Sequence, residues 1–289
     1  MRMNIKIMKA RASSSFHLIT LLVFVSGLAA TPLAYANERH LTYTYETAVL
    51  PRGAKEIEIW TTPRLGRDDY YARFDERLEF EVGVTDRLQT SLYLNWNAIT
   101  SEAEVMPGFK QKVSATEFEG ISSEWKYKLI DPVANAVGFA LYGEASLGPT
   151  ESELEGKLIF DKRIGKLLLA ANLVAAVEFE FEGAEPEAEE IEIEPVLGAT
   201  YFITPNLALG LELRNHNKIA KEPMAGGEFE WEHSALFLGP VVSYATQSWW
   251  VAATILPQLP ALKKEGAGSR VLDEHEELNA RVIFAFHLD

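Results

Sequence analysis

The chain has no cysteine and, beyond its first 36 residues, no uninterrupted apolar run long enough to cross a membrane as a helix. The absence of cysteine excludes a disulfide framework, a thiolate metal site and a lipid-anchored N-terminus. Basic residues are also scarce, with 27 Lys and Arg against 42 Asp and Glu and a formal net charge of −15. Such an acidic chain repels nucleic acid, so we expect no nucleic-acid partner and a preference for cations or neutral solutes.

The first 36 residues predict a secretory signal peptide. A basic head without acids precedes an apolar core over 18–28, and the small residues Ala34 and Ala36 indicate cleavage before Asn37. The alternative is a retained membrane helix. However, the uninterrupted apolar stretch 18–25 is well below the roughly 18 to 20 residues that a helical span needs.

The rest of the chain alternates apolar and polar residues with a period of two, which predicts β-strands. For example, Leu78, Phe80 and Val82 share one strand face, while Glu79 and Glu81 share the other. No change of composition marks a linker, so we predict a single domain over 37–289. Its twelve strands are expected near 54–64, 70–84, 88–98, 114–129, 137–147, 153–163, 166–182, 189–202, 207–214, 232–245, 248–256 and 275–288.

The predicted connections alternate between short turns and mostly longer loops, the longest at 99–113, 215–231 and 257–274. Bacterial outer-membrane barrels have this asymmetry, with the short turns in the periplasm. Aromatic residues such as Trp249 and Trp250 also gather near strand ends, where the membrane interfaces would lie. We therefore predict an all-β, antiparallel up-and-down transmembrane β-barrel in the Gram-negative outer membrane, in contact with lipid and lipopolysaccharide. The alternative is a soluble sandwich or lipocalin-like barrel, whose apolar faces would point inward.

Four short motifs carry a resemblance to a known group of proteins: Tyr43-Thr44-Tyr45-Glu46-Thr47, Leu50-Pro51-Arg52-Gly53, Glu56-Ile57-Glu58 and Thr85-Asp86-Arg87-Leu88. On these motifs the chain resembles a loosely defined group of proteobacterial outer-membrane barrels. The group is commonly labelled uncharacterised or transporter-like and includes the set named for the meta pathway of phenol degradation. The resemblance implies the location and the fold rather than a substrate. It also implies insertion by the barrel-assembly machinery, although such barrels usually end on an aromatic residue and this chain ends on Asp289.

The most unusual segment is 178–194, which contains nine glutamates. On its predicted strands the acids alternate with Phe179 and Ile191, so most carboxylates should face the lumen. One interpretation is a solvated loop and channel wall. The other is a cation-attracting mouth or a divalent-ion site that bridges lipopolysaccharide phosphates. No spacing matches a calcium loop, so the identity of any metal stays open. The predicted lumen and cation-attracting residues are Glu178, Glu180, Glu182, Glu190, Glu192, Glu194, Glu79, Glu81, Glu144, Glu212, Arg214 and Arg281.

A lipid-modifying outer-membrane hydrolase is a further alternative, because some membrane barrels of this size use Ser and His on the outer wall. In this chain His233 and Ser234 are adjacent and should point to opposite faces of a strand, which prevents a nucleophile–base pair. His216 lies in a polar stretch without a placed serine. We therefore expect no catalytic residue, no cofactor and no enzyme.

Twelve strands enclose a narrower interior than the 16 to 18 that leave an aqueous channel in porins. We therefore predict a passive, narrow, weakly cation-preferring channel or transporter for a small solute. The alternative is a structural or envelope-binding barrel with a filled lumen.

Overall fold

A computed structural model of the chain describes residues 38–106, 108–180, 187–221, 229–264 and 266–288. The predicted signal peptide and Glu182 lie outside these residues. Each strand pairs antiparallel with its sequence neighbours, and the first pairs with the last to close a twelve-stranded barrel. The strands are β1 (Lys55–Leu65), β2 (Tyr71–Thr85), β3 (Leu88–Met106), β4 (Phe109–Ile130), β5 (Gly138–Leu147), β6 (Glu151–Ile164), β7 (Leu167–Glu180), β8 (Glu187–Phe202), β9 (Leu207–Lys221), β10 (Phe229–Ala245), β11 (Trp249–Lys263) and β12 (Leu278–Leu288).

The apolar faces of the strands point outward. Leu92 and Leu211 are 64% and 55% exposed, whereas the adjacent Tyr93 and Glu212 are 1% and 0% exposed. An apolar belt around a whole barrel is unfavourable in water and is covered by hydrocarbon in a membrane. The predicted transmembrane barrel is thereby confirmed, and a soluble barrel with an apolar interior is excluded. The same outward face carries Leu78, Phe80, Leu94, Leu141, Leu169, Leu173, Leu197, Leu209, Val282 and Phe286.

One rim carries five connections of two to seven residues, and the other carries the longest connection, at 264–277. Because short turns face the periplasm in outer-membrane barrels, the long-loop rim is extracellular. Both described chain ends lie on the periplasmic side, since β1 begins and β12 ends at the short-turn rim. In the part of the chain that the structure describes, no helix is long and apolar enough to span a membrane.

The extracellular ends of several strands are longer than predicted. The loop expected at 99–113 is instead a paired hairpin that continues to Met106 opposite Phe109. The loops expected at 215–231 and 257–274 are shortened in the same way by β9, β10 and β11. Above the membrane the outer face no longer has to be apolar, so alternation fades while backbone pairing continues.

Inside the barrel, the buried apolar residues form several separate clusters. Trp60, Tyr142, Ile159 and Trp250 belong to one buried cluster together with Tyr45 from the segment before β1. The prediction that Trp250 belongs to an interfacial girdle is therefore wrong: its indole is fully buried and donates a hydrogen bond of 3.1 Å to Glu56.

Candidate functional site

Residues 38–54, here called the N-terminal segment, lie inside the barrel and form no strand. A single carboxylate on β9 holds its backbone. Glu212 Oε1 accepts hydrogen bonds from the backbone N–H groups of Thr42, Tyr43 and Thr44 at 3.0, 2.9 and 2.9 Å. The Thr42 hydroxyl donates to the other oxygen at 2.8 Å. Successive N–H groups that converge on one anion form a backbone nest, so Glu212 anchors the segment by charge and by hydrogen bonding.

Further polar side chains extend this anchoring across the lumen. The Asn172 side chain on β7 accepts from Tyr45 N–H at 2.6 Å and donates to the Tyr45 carbonyl at 2.9 Å. On β6, Asp161 accepts from the backbone and the hydroxyl of Thr47 at 2.9 and 2.8 Å. All these positions lie toward the short-turn ends of their strands. The N-terminal segment therefore crosses the periplasmic half of the lumen from wall to wall.

The extracellular half contains a cavity of about 370 Å³, here called the vestibule. Its floor is formed by Tyr43 and Tyr45 of the N-terminal segment. Nine carboxylates and six basic side chains line it, so the lining is acidic in sum. Five of the predicted lumen residues are part of this lining: Glu144, Glu178, Glu194, Arg214 and Arg281.

Most charges in the vestibule are paired with a neighbour. Arg214 contacts Glu194 at 2.6 Å, Lys157 contacts Glu155 at 2.7 Å, and Arg77 contacts Glu144 at 3.3 Å. Such pairs largely cancel each other's field and keep long side chains against the wall. The selectivity of the vestibule therefore depends on the charges that have no partner.

Five charged side chains of the vestibule are of that kind. Among the described residues, Glu76 on β2, Glu151 and Glu153 on β6, and Glu178 on β7 have no basic group within 4.0 Å. On β12, Arg281 has no carboxylate within 4.0 Å, and its guanidinium lies 3.8 Å from the centre of the Tyr43 ring. The vestibule therefore contains four carboxylates without a basic partner and one guanidinium without a carboxylate partner.

The predicted lumen residues Glu79 and Glu81 lie lower, beside the N-terminal segment, and do not reach the vestibule. They belong to a buried group of acids on the wall formed by β1, β2 and β4. Within this group, each of two overlapping sets of three residues brings three carboxylate oxygens within 4.8 Å of one another. Arg39 of the N-terminal segment supplies positive charge to this group, because Glu58, Glu79 and Glu124 act on it electrostatically. The group consists of Glu56, Glu58, Glu79, Glu81 and Glu124.

The acidic hairpin predicted from the sequence has partners on β9. Glu192 lies 3.3 Å from His216 Nε2, and Glu190 lies 3.0 Å from Lys218 Nζ. Glu194 contacts His216 Nδ1 at 3.0 Å in addition to Arg214. Glu180, in contrast, is exposed at the end of β7. Apart from Glu178, the described acids on the inner face of this hairpin are thus engaged by basic side chains.

The loop between β11 and β12, residues 264–277, folds inward over the extracellular mouth. Gln258 and Val271 hold each other by reciprocal hydrogen bonds of 2.9 and 2.7 Å. Arg64 and Arg67 donate to Glu276 at 3.2 and 2.7 Å. Burial alone would raise the pKa of Glu276, but the two arginines lower it, so the carboxylate stays charged. The loop brings His275 beside His216 and His233 in the lumen.

The side chains considered for a hydrolase lie on different faces of the barrel wall. The Ser234 hydroxyl accepts a hydrogen bond of 2.8 Å from Asn215, which alternates with the inward-facing Arg214 and His216. His233 instead contacts His275 inside the lumen. Ser234 and His233 are therefore separated by the wall itself.

Two functional features were missed by the sequence reasoning, namely the N-terminal segment inside the lumen and the three-histidine cluster. The only local signal for the first is the run of Thr and Tyr at 42–47, which lies ahead of the turn at Pro51 and Gly53 that precedes the first strand. The second joins residues 17 to 59 positions apart, and no spacing motif marks it.

The fold is similar to that of several solved outer-membrane proteins at low sequence identity. The NanC porin is 10% identical, with 81% of this chain and 100% of that chain covered and a TM-score of 0.49. OmpT of Vibrio cholerae is 10% identical, with 81% and 96% covered and a TM-score of 0.36. OprD of Pseudomonas aeruginosa is 8% identical, with 88% and 97% covered and a TM-score of 0.34. No function transfers to this chain at such similarity.

No curated protein matches the chain. The resemblance to the set named for phenol degradation stays a prediction. A family model matches residues 33–288, and the chain therefore belongs to the family of unknown function DUF6662.

Proposed function

We propose that this protein is a passive, narrow, weakly cation-preferring channel for a small solute, whose bore is set by the N-terminal segment. The observation that carries the proposal is the vestibule, a charged cavity of about 370 Å³ that ends on that segment. Cavities that hold small molecules typically measure about 300 to 1,000 Å³, so the vestibule suits a small solute.

The charges of the vestibule support a modest preference for cations. Its nine carboxylates exceed its six basic groups, and among the charges without a partner four carboxylates oppose only Arg281. Rings and walls of carboxylates favour cations in channels. The free guanidinium opposes this effect, so the selectivity should be weak.

Passage to the periplasm requires the N-terminal segment to move or to leave a narrow gap. It is held mainly by hydrogen bonds to Glu212, Asn172 and Asp161. Side-chain anchors of this kind are discrete and can be removed one at a time without altering the strands.

The first experiment is planar-bilayer recording of the purified mature protein in a salt gradient. We expect small conductance steps and a reversal potential on the cation side. Glu153→Gln combined with Glu178→Gln should reduce the cation preference, whereas Glu180→Gln, at the exposed end of β7, is the matched control. An unchanged reversal potential in the double variant would contradict the assignment of these carboxylates.

A second candidate function is a structural or envelope-binding barrel with a filled lumen, in contact with outer-membrane lipid and lipopolysaccharide. The specific observation in its favour is the N-terminal segment, which occupies the periplasmic half of the lumen. If this candidate is correct, neither the wild-type protein nor a variant with a released N-terminal segment should conduct ions in the bilayer. A conducting Glu212→Ala variant would exclude this candidate.

A further inference from the structure

Three buried histidines meet in the lumen next to the part of the vestibule wall that carries Glu194. His216 is on β9, His233 is on β10, and His275 is in loop 264–277. Their exposed fractions are only 4%, 4% and 6%. The ring centres of His216 and His233 lie 4.5 and 4.7 Å from that of His275. One ring nitrogen from each lies within 4.8 Å of the other two.

The contacts of the three rings leave one nitrogen of each histidine close to the other two. Nδ1 of His216 contacts Glu194 at 3.0 Å, which leaves Nε2 for the cluster. Nε2 of His233 lies 2.7 Å from Nε2 of His275, and Glu274 lies 3.7 Å from the other nitrogen of His233. A carboxylate behind a histidine ring is the usual support of a metal-ligating imidazole, because it fixes the tautomer and raises the basicity of the ligating nitrogen.

Glu192 lies near only one of the three rings. Its Oε1 is 3.3 Å from His216 Nε2, and it groups with Glu190 and His216 rather than with the other two histidines. Three histidines alone form a donor set that suits a borderline divalent ion such as zinc, with a fourth position for water. Tetrahedral zinc with bonds of about 2.0 to 2.1 Å needs donor nitrogens about 3.3 Å apart. The pair at 2.7 Å would open slightly and the wider pairs would close by small ring rotations.

One property of His275 is consistent with this role. Its Nδ1 is buried and has no hydrogen-bond partner among the described residues, so the ring is not satisfied by protein contacts alone.

We propose that His216, His233 and His275 bind a divalent transition-metal ion, zinc being the best match, which ties loop 264–277 to the barrel wall. The site borders the vestibule at Glu194, and the proposal does not depend on the proposed channel activity. Acidic side chains surround its approach, since Glu190, Glu232 and Glu274 converge on Lys218 beside it. These carboxylates would attract a cation from the extracellular side.

The test measures metal binding by the full mature protein in detergent after treatment with a chelator. Zinc is titrated in competition with a chromophoric chelator, and cobalt is added separately to report coordination by its visible absorption. We expect one zinc per chain and the intense absorption of tetrahedral cobalt. The variants are His275→Gln, which removes a ligand, and Glu194→Gln, which removes the carboxylate behind His216 and also its ion pair with Arg214. His40→Gln is the matched control, because His40 contacts Glu46 far from the cluster.

His275→Gln should abolish the cobalt absorption. Glu194→Gln should weaken zinc binding by about 10-fold to 100-fold, the usual effect of losing such a support. His40→Gln should bind like the wild type. Heat-modified gel mobility and circular dichroism establish that each variant is folded. Folded wild-type protein that takes up no stoichiometric zinc, or a folded His275→Gln variant with unchanged affinity, would overturn the proposal.

A second readout follows the loop directly. Lys264 and Arg270 are trypsin sites in loop 264–277, and zinc should slow cleavage there in the wild type and in His40→Gln but not in His275→Gln. Equal cleavage rates with and without zinc in a metal-loaded wild type would contradict the tethering of the loop.

Discussion

The two halves of the lumen differ in how their charged side chains are used. In the periplasmic half, inward-facing acids and amides such as Glu212, Asn172 and Asp161 bind the backbone of the N-terminal segment. In the extracellular half, Glu153, Glu178 and Arg281 face an open cavity without a charged partner. The same barrel wall therefore holds its own chain at one end and presents free charge to a solute at the other. A polar inner face alone does not indicate an open channel.

The largest expected effect comes from releasing the N-terminal segment. Glu212→Ala removes the acceptor of three backbone N–H groups and one hydroxyl. Each buried group left without a partner costs about 1 to 3 kcal/mol, so the segment should detach from β9. We expect a severalfold rise in single-channel conductance, measured in planar bilayers.

Glu212→Gln is the matched variant, because its amide oxygen can still accept at the position of Oε1, where all three N–H groups converge. Its conductance should lie between those of the wild type and Glu212→Ala. Equal conductance in all three proteins would show that the N-terminal segment does not limit the bore.

A smaller effect is expected from crowding the same half of the lumen. A Cβ atom on Gly83 of β2 would collide with the carbonyl oxygens of Leu50 and Pro51. Backbone atoms cannot turn away like a flexible side chain, and overpacking of this kind costs about 1 to 3 kcal/mol. Gly83→Ala should therefore lower the thermal stability and raise the conductance. Gly156→Ala is the control, since its nearest atom would lie at 3.8 Å. Similar melting temperatures for the two variants would contradict the close packing of Gly83 against the backbone of Leu50 and Pro51.

The difference between the two halves also marks what the sequence could reveal. Period-two alternation predicted the twelve strands and the outward direction of residues such as Leu211, because lipid imposes that pattern on every strand. It could not reveal the N-terminal segment, whose contacts with Glu212 and Asp161 span 168 to 170 and 114 positions. It also placed Glu212 among the cation-attracting candidates, although this residue binds the backbone. A polar inward residue looks the same in the sequence whether it faces water or another segment.

A change of vestibule charge should alter selectivity more than conductance. With Glu153→Gln and Glu178→Gln, the reversal potential in a salt gradient should move toward zero, because two free carboxylates are lost. Arg281→Gln should move it in the opposite direction, toward stronger cation preference. Shifts of the same sign in both variants would contradict the account of opposing charges.

The smallest expected effect is the pH dependence of one contact within the N-terminal segment. His40 Nδ1 lies 3.1 Å from Glu46. Burial lowers the pKa of His40, but Glu46 outweighs this and raises it above 6.5. Burial likewise raises the pKa of Glu46, but His40 outweighs this and lowers it below 4.5.

The contribution of charged His40 to the stability of the folded segment is full below pH 6.5 and is lost as the pH rises through the raised pKa of His40. The contribution of charged Glu46 is full above pH 4.5 and is lost as the pH falls through the lowered pKa of Glu46. The pair is therefore strongest between pH 4.5 and 6.5. Conductance should be lowest in this window and rise slightly at higher pH, and His40→Gln should remove the rise.

The most direct test of the asymmetric lumen is polymer partitioning into single channels from each side of the bilayer. Small neutral polymers added on the long-loop side should enter the vestibule and reduce the conductance, while the same polymers on the short-turn side should have little effect. In Glu212→Ala, polymers should enter from both sides. Equal partitioning from both sides of the wild-type channel would contradict the claim that the N-terminal segment occupies the periplasmic half.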